Sequence, residues 1–209
     1  MLFNSLLFLV FLVVAVLGSW ALLRHRALRF GFLLVASWLF YMSWDPRFIG
    51  LILLSTVVDY CAGLGIEKAG DGRPQHRKAW LWLSLISNLG LLGYFKYTNF
   101  FLQSIAGVAQ AVGLEAAIPI FEITLPVGIS FYTFQTLSYT IDVYRKQIPA
   151  ERSFLRFALY VCFFPQLVAG PIVRASDFLP QLHQRVRLSY EDVGAGLFRI
   201  ARGLVKKVV

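Results

Sequence analysis

The first 23 residues, Met1–Leu23, contain no charged side chain. A helix needs about 20 predominantly apolar residues to cross a bilayer. In lipid every backbone N–H and C=O must be satisfied inside the spanning structure. The stretch exceeds the apolar core of a secretory signal, about 7–15 residues, and has no basic flank ahead of it. It reads as a first transmembrane helix. Comparable apolar blocks recur along the chain. They predict further spans near residues 30–44, 48–66, 79–95 and 123–144. The apolar block at 153–173 is interrupted by Pro165 and by Gly170-Pro171, which predicts a broken or re-entrant segment. Residues 97–117 are moderately apolar and glycine-interrupted, which suits an interfacial or re-entrant path. The expected fold is all-α: polytopic integral membrane helices forming one membrane domain over residues 1–209.

Composition excludes the alternatives. Of the 209 residues, 58% are hydrophobic and 15% charged. Soluble domains run at about 45–50% apolar and about 25% charged. The formal charge of +9 is uneven. Residues 145–209 hold 11 basic and 4 acidic side chains, a net +7, leaving +2 for the preceding 144. The Lys and Arg punctuate apolar runs, so they predict inside-facing flanks and headgroup contacts rather than nucleic-acid binding. The bias places the Arg24–Arg29, Glu67–Lys78 and Arg145–Arg152 loops inside the cell, with Asp45–Arg47 and the N-terminus outside. Cys61 and Cys162 lie within apolar runs without metal-ligand spacing, and are expected as buried free thiols.

No phosphate-binding loop, HExxH or GxSxG motif is present, and no metal set is expected. His25, His76 and His183 lie in basic polar stretches and are expected to be solvated. Asp59, Lys96 and Asp142 fall within or beside apolar runs, where ionisable residues are functional candidates by default. Asp59 is expected to face the bundle interior. Asp142 is placed to pair with Arg145 at i,i+3. Leu125–Arg145 (LPVGISFYTFQTLSYTIDVYR) carries Ser130, Thr133, Gln135, Thr136, Ser138 and Tyr139 in an apolar helix. Such groups bridge helices or line a channel. Phe163–Arg174 (FFPQLVAGPIVR) combines helix breakers with Gln166 and Arg174, which suits either a structural kink or an anion site. The last twenty residues form an amphipathic helix, 190–209, capped by Ser189. Val193, Leu197, Ile200, Leu204 and Val208 share one face, Arg199, Arg202 and Lys206 the other, and Lys207 the edge. This pattern suits a helix lying along the cytoplasmic leaflet, or one whose lysines line a donor site.

These blocks, with Leu33–Pro46 (LLVASWLFYMSWDP), Ser55–Glu67 (STVVDYCAGLGIE), Asn88–Phe101 (NLGLLGYFKYTNFF) and Gly196–Val209 (GLFRIARGLVKKVV), resemble the membrane-bound O-acyltransferase (MBOAT) family. Within that family the blocks resemble the bacterial alginate O-acetyltransferase branch. The resemblance implies a ring of membrane helices around a thinner core crossed by a tunnel. It implies transfer of an acyl group, acetyl by the resemblance to this branch, from a cytoplasmic thioester to a hydroxyl of an exported polysaccharide, with periplasmic or extracellular partner proteins. The donor would be acyl-CoA or an acyl carrier protein, with no bound cofactor. The family's catalytic histidine is expected beyond Val209, so this chain reads as an N-terminal portion that is inactive alone, in a bacterial inner membrane. Substrate or tunnel candidates are Gln135, Tyr139, Pro165, Gln166, Gly170, Pro171 and Arg174. Donor-facing basic candidates are Arg185, Arg187, Lys206 and Lys207. A transporter or flippase subunit and an inert membrane scaffold are the alternatives.

Overall fold

The apolar blocks form helices joined by short polar turns. The structure, a computed structural model, describes residues 5–111, 123–167, 170, 173–184 and 189–208. In order these are α1 (Leu6–Ala21), α2 (Arg26–Met42), α3 (Ile49–Ala69), α4 (Pro74–Leu92), α5 (Thr98–Ala111), α6 (Ile129–Tyr144), α7 (Phe154–Cys162), α8 (Phe164–Leu167), α9 (Ala175–His183) and α10 (Tyr190–Val208). A 3₁₀ turn, Pro46–Phe48, leads into α3, and a π-helical turn, Gly93–Tyr97, joins α4 to α5. Among the described residues, Pro46–Ala69 is the one helix long and apolar enough to cross a membrane, at 24 residues and mean hydropathy 1.9. Leu6–Ala21 and Phe154–Leu167 are shorter apolar helices.

Several boundaries differ from the sequence expectation for local reasons. α2 starts at Arg26 rather than Phe30, since Arg is a good helix former whose long stem keeps its charge in a polar zone. α4 starts at Pro74 rather than Ala79. Proline occupies the first turn, where its missing N–H would have no helical partner anyway. α6 starts only at Ile129. Gly128 caps it in a left-handed conformation, φ +76°, and a Cβ there would lie 2.5 Å from the Leu167 carbonyl oxygen. Residues 98–111 form a helix, α5. At the chain's end, the Ser189 hydroxyl accepts the Asp192 N–H at 3.0 Å and donates to the Asp192 carboxylate at 2.7 Å, capping α10.

On α3 and α4 several small and polar residues are buried while several large apolar ones are exposed. On α3 the buried residues Ile52, Ser55, Thr56, Asp59, Ala62, Gly63 and Ile66 follow helical periodicity. Leu54 and Val57 face outward. On α4, Ser84 and Asn88 are buried, while Trp82, Leu83, Ile86 and Leu89 are exposed. Small and polar residues thus share the helix contacts with Ile52, Ile66 and Leu92, while several large apolar residues lie on the outside. Helices packing in lipid show this arrangement, because tails solvate leucine as well as protein does and only close approach or hydrogen bonding favours association. Gly63 permits such an approach: a Cβ there would lie 2.7 Å from the Tyr139 hydroxyl.

α7 is the innermost element, with Phe157–Cys162 all at most 1% exposed. It packs against α2, α3, α6, α8 and α9. Ser153 caps its start, and it breaks at Phe163. The Phe164 N–H freed by the break donates to Ser37 Oγ, in the middle of α2, at 3.2 Å. α9 then packs back along α7, and His183 at its end meets Glu151, just ahead of α7. The chain thus leaves and rejoins the same end of the bundle. That end also gathers the basic loops. Arg26 donates to the His183 carbonyl at 3.0 Å, Tyr60 to the Arg152 carbonyl at 2.7 Å, and Lys146 to Asp71 at 2.6 Å. The other end holds the Asp45–Arg47 ion pair, 2.7 Å, and the Tyr41 bond to the Val127 carbonyl, 3.2 Å.

Two local expectations fail. Asp142 and Arg145 form no ion pair; the helix ends at Tyr144, and Arg145 turns outward at the cap. Cys61 is exposed rather than buried, because it sits off the α3 contact face; Cys162 is buried.

Candidate functional site

Two adjoining clefts open at the basic end. One, about 320 Å³, is lined by Ile66, Glu67, Gly70, Arg77, Val143 and Lys146–Ala150. The other, about 530 Å³, shares Glu67, Ile148, Pro149 and Ala150, and adds Glu151, Arg152, Arg156, Ala175, Ser176, Leu179, Pro180 and His183. Apolar walls with a few convergent charged groups are the usual make-up of a small-molecule site.

The charged groups are fixed by local structure. Glu151 precedes the Ser153 cap, and its Oε1 accepts the Ser153 N–H at 2.8 Å and the Arg156 guanidinium at 2.7 and 3.0 Å. Its Oε2 lies 3.3 Å from His183 Nε2. Burial works against the Glu151 charge, but the bonds from Arg156 and Ser153, the Arg156 charge and His183 together hold its carboxyl below the ordinary range. In the first cleft Arg77 donates to the Tyr144 carbonyl, lies 5.0 Å from the Tyr144 ring centre, and pairs with Asp71 at 3.2 Å. The hydrogen bond from Lys146 and its charge, with help from Arg77, hold the exposed Asp71 carboxyl low. The first cleft sets Arg77 and Lys146 against Glu67 and Asp71, and the second sets Arg152, Arg156 and His183 against Glu67 and Glu151, so both carry mixed charge over apolar walls.

A second cluster lies inside the bundle. Asp59 of α3 is fully buried. It receives hydrogen bonds from Ser84, from Asn88 Nδ2 at 2.8 Å, and from Thr140 Oγ1 at 3.2 Å. Thr136 extends the network to Asn88 Oδ1 at 3.4 Å. Three helices, α3, α4 and α6, meet on one carboxyl group. Asp59 faces inward, as its place in an apolar run predicts.

The sequence candidates are dispersed. Gln135 donates to the Tyr160 carbonyl at 2.8 Å, and Tyr160 returns a bond to the Gln135 carbonyl at 3.2 Å, clasping α6 to α7. The Tyr139 hydroxyl accepts the Glu151 N–H at 3.0 Å, and its ring packs 4.6 Å from Phe157. Pro165 and Gln166 lie in α8; among the described residues the buried Gln166 Oε1 has no hydrogen-bond partner. Gly170 donates to the Gln166 carbonyl at 3.1 Å. Arg174 is exposed and caps α9 with its backbone carbonyl. Lys206 is exposed on α10. Pro171, Arg185 and Arg187 lie outside the described residues, as does the Lys207 side chain. The structure instead brings together Arg77, Lys146, Glu151, Arg156 and His183. His183 is exposed, as expected, and in addition lies beside Glu151. The available signal was Glu151-x-Ser153-x-x-Arg156: a cap serine flanked by opposite charges at a spacing that folds back across a helix start.

No family model matches the chain, and no solved structure matches it. Curated relatives do. Over its whole length the chain is 40% identical to the probable alginate O-acetylase AlgI of Azotobacter vinelandii, covering 41% of that protein. It is 39% identical to the probable alginate O-acetylase AlgI of Pseudomonas aeruginosa, covering 39%. It is 34% identical to a peptidoglycan O-acetyltransferase of Helicobacter pylori, covering 44%. The chain spans about two-fifths of the length of the curated relatives it matches. It is homologous to these O-acetyltransferases. The homology and the Pro46–Ala69 helix make it a membrane-associated protein.

Proposed function

We propose that this homologue of O-acetyltransferases belongs to the membrane-bound O-acyltransferases and forms part of an enzyme that O-acetylates an exported polysaccharide. The homology over every residue of the chain carries this reading. The apolar outer faces of α1, α3 and α4 support a multi-pass position in the bacterial inner membrane, with the basic end in the cytoplasm. The cytoplasmic end then meets the donor. Arg77 and Lys146 in one cleft, and Arg152, Arg156 and His183 in the other, would hold the phosphates of an acyl-CoA or the prosthetic arm of an acyl carrier protein. The acceptor is a polysaccharide hydroxyl on the far side, reached with periplasmic or extracellular partners. Residues 1–209 supply helices of the ring and the donor end; the proton-accepting histidine is contributed by sequence other than these residues.

The experiment is complementation. A strain that exports its polymer but lacks its own O-acetylase receives the complete gene that includes this sequence, and ester-linked acetate on the exported polymer is measured. Ester acetate is expected, and it is expected to be absent when residues 1–209 are supplied alone. Lys146→Glu should raise the donor concentration needed for half-maximal transfer. Polymer export with no ester acetate refutes the reading; acetate uptake into vesicles without ester formation indicates transport instead.

A further inference from the structure

α10 leaves its apolar face uncovered. Leu197 is 63% exposed, Phe198 67%, Ile200 47% and Val205 60%. At about 100° per residue, the apolar arc from Ile200 round to Phe198 spans about 160°. The charges are segregated from it. Glu191 and Asp192 lie in the first turn, where they suit the positive end of the helix dipole. Arg199, Arg202 and Lys206 follow on the same polar face, all exposed. α10 begins seven residues after His183, which is fixed to the basic end of the bundle by Glu151 and Arg26. Even fully extended, that connection reaches only about 24 Å. That is too short to cross a hydrocarbon core of about 30 Å, so the helix starts on the basic side of the bundle.

We infer that α10 lies in the plane of an anionic bilayer surface, with Leu197, Phe198, Ile200 and Val205 in the acyl boundary and Arg199, Arg202 and Lys206 against lipid phosphates. Charge complementarity selects this occupant, since the cations gather on the polar face, the pattern of an interfacial helix on anionic lipid, while the apolar arc carries none. The inference rests on the membrane reading above. A docked α10 anchors the α9 end of the returning α7–α9 segment, and so fixes one wall of the 530 Å³ cleft.

The test uses the whole chain in nanodiscs, with exposed Cys61 replaced by serine and buried Cys162 retained. Nitroxide labels are placed singly at Phe198→Cys, Val205→Cys, Arg199→Cys and Arg202→Cys, with Val13→Cys of α1 as a lipid reference. Collision with oxygen and with a water-soluble nickel chelate gives each label's depth. In bilayers containing phosphatidylglycerol, labels at 198 and 205 are expected about 5–10 Å inside the headgroup boundary, and labels at 199 and 202 in water. Each surface cation contributes about a fivefold preference for anionic lipid. Replacing Arg199, Arg202 and Lys206 together by glutamine should lower the docked-to-undocked ratio about a hundredfold, as should pure phosphatidylcholine. Labels at 198 and 205 that stay in water in anionic bilayers overturn the inference. Labels shielded from both quenchers also overturn it, because protein then covers the face. A water-exposed label at 13 overturns the membrane reading itself, whereas a lipid-exposed label at 13 with water-exposed labels at 198 and 205 overturns the inference alone.

Discussion

Removing the Asp59 carboxyl is the sharpest perturbation of the bundle. Ser84, Asn88 and Thr140 all donate to it, from two helices other than its own. Interhelical hydrogen bonds in membrane proteins average about 0.6 kcal/mol and reach about 1.7. Three of them therefore place Asp59→Ala about 2–5 kcal/mol below the parent. The upper half applies if the three donors stay unsatisfied, since each buried orphan costs about 1–3 kcal/mol. Two of them have local alternatives. Asn88 Nδ2 already donates to the Ser84 carbonyl at 3.0 Å, and a threonine hydroxyl in a helix can turn to the carbonyl a turn earlier. The expected loss is therefore about 3 kcal/mol. Asp59→Asn keeps an acceptor for Ser84 and Thr140, but sets an amide against the Asn88 amide, and should lose about 1–2 kcal/mol. Unfolding free energies from detergent–denaturant titration in mixed micelles measure both. The Asp59→Ala, Asn88→Ala pair should be less than additive, by about 0.5 kcal/mol or more, because both residues belong to one network. An Asp59→Ala loss below about 0.5 kcal/mol, or strict additivity with Asn88→Ala, would refute the brace.

Gly63→Ala should destabilise by about 1–3 kcal/mol, since its Cβ would lie 2.7 Å from the Tyr139 hydroxyl; Tyr139→Phe in the same chain should recover part of this in the same titration. Gly128→Ala combines a left-handed backbone with a Cβ 2.5 Å from the Leu167 carbonyl, and should lower folded yield in detergent more than Gly63→Ala does. Glu151 has a lowered carboxyl pKa in the folded chain, so its stabilising contribution is complete above the ordinary value of about 4.3. It is lost as pH falls through the lowered value, and Glu151→Gln should flatten that acid limb of the unfolding midpoint against pH.

Some of this was legible in the chain alone. The apolar runs determine helices, and the Arg and Lys between them come together at one end of the bundle. The Ser189 cap and the amphipathic α10 are local, and local chemistry suffices to read them. The inward Asp59 followed from the penalty for a carboxyl in lipid. Tertiary structure decided the rest. The apolar runs of α3 and α4 are apolar all round, so hydrophobic periodicity is silent about which face packs; Gly63, Ser84 and Asn88 mark that face only once their partners on α6 and α3 are known. The Pro165 and Gly170-Pro171 breakers announce an interruption, but the return of α9 to Glu151 depends on contacts between residues 32 apart. The Arg77, Lys146, Glu151, Arg156 and His183 groups come from separate loops and helix ends. Each looks like an ordinary solvated charge in sequence, and only the packing of α4, α6, α7 and α9 brings them to one pair of clefts.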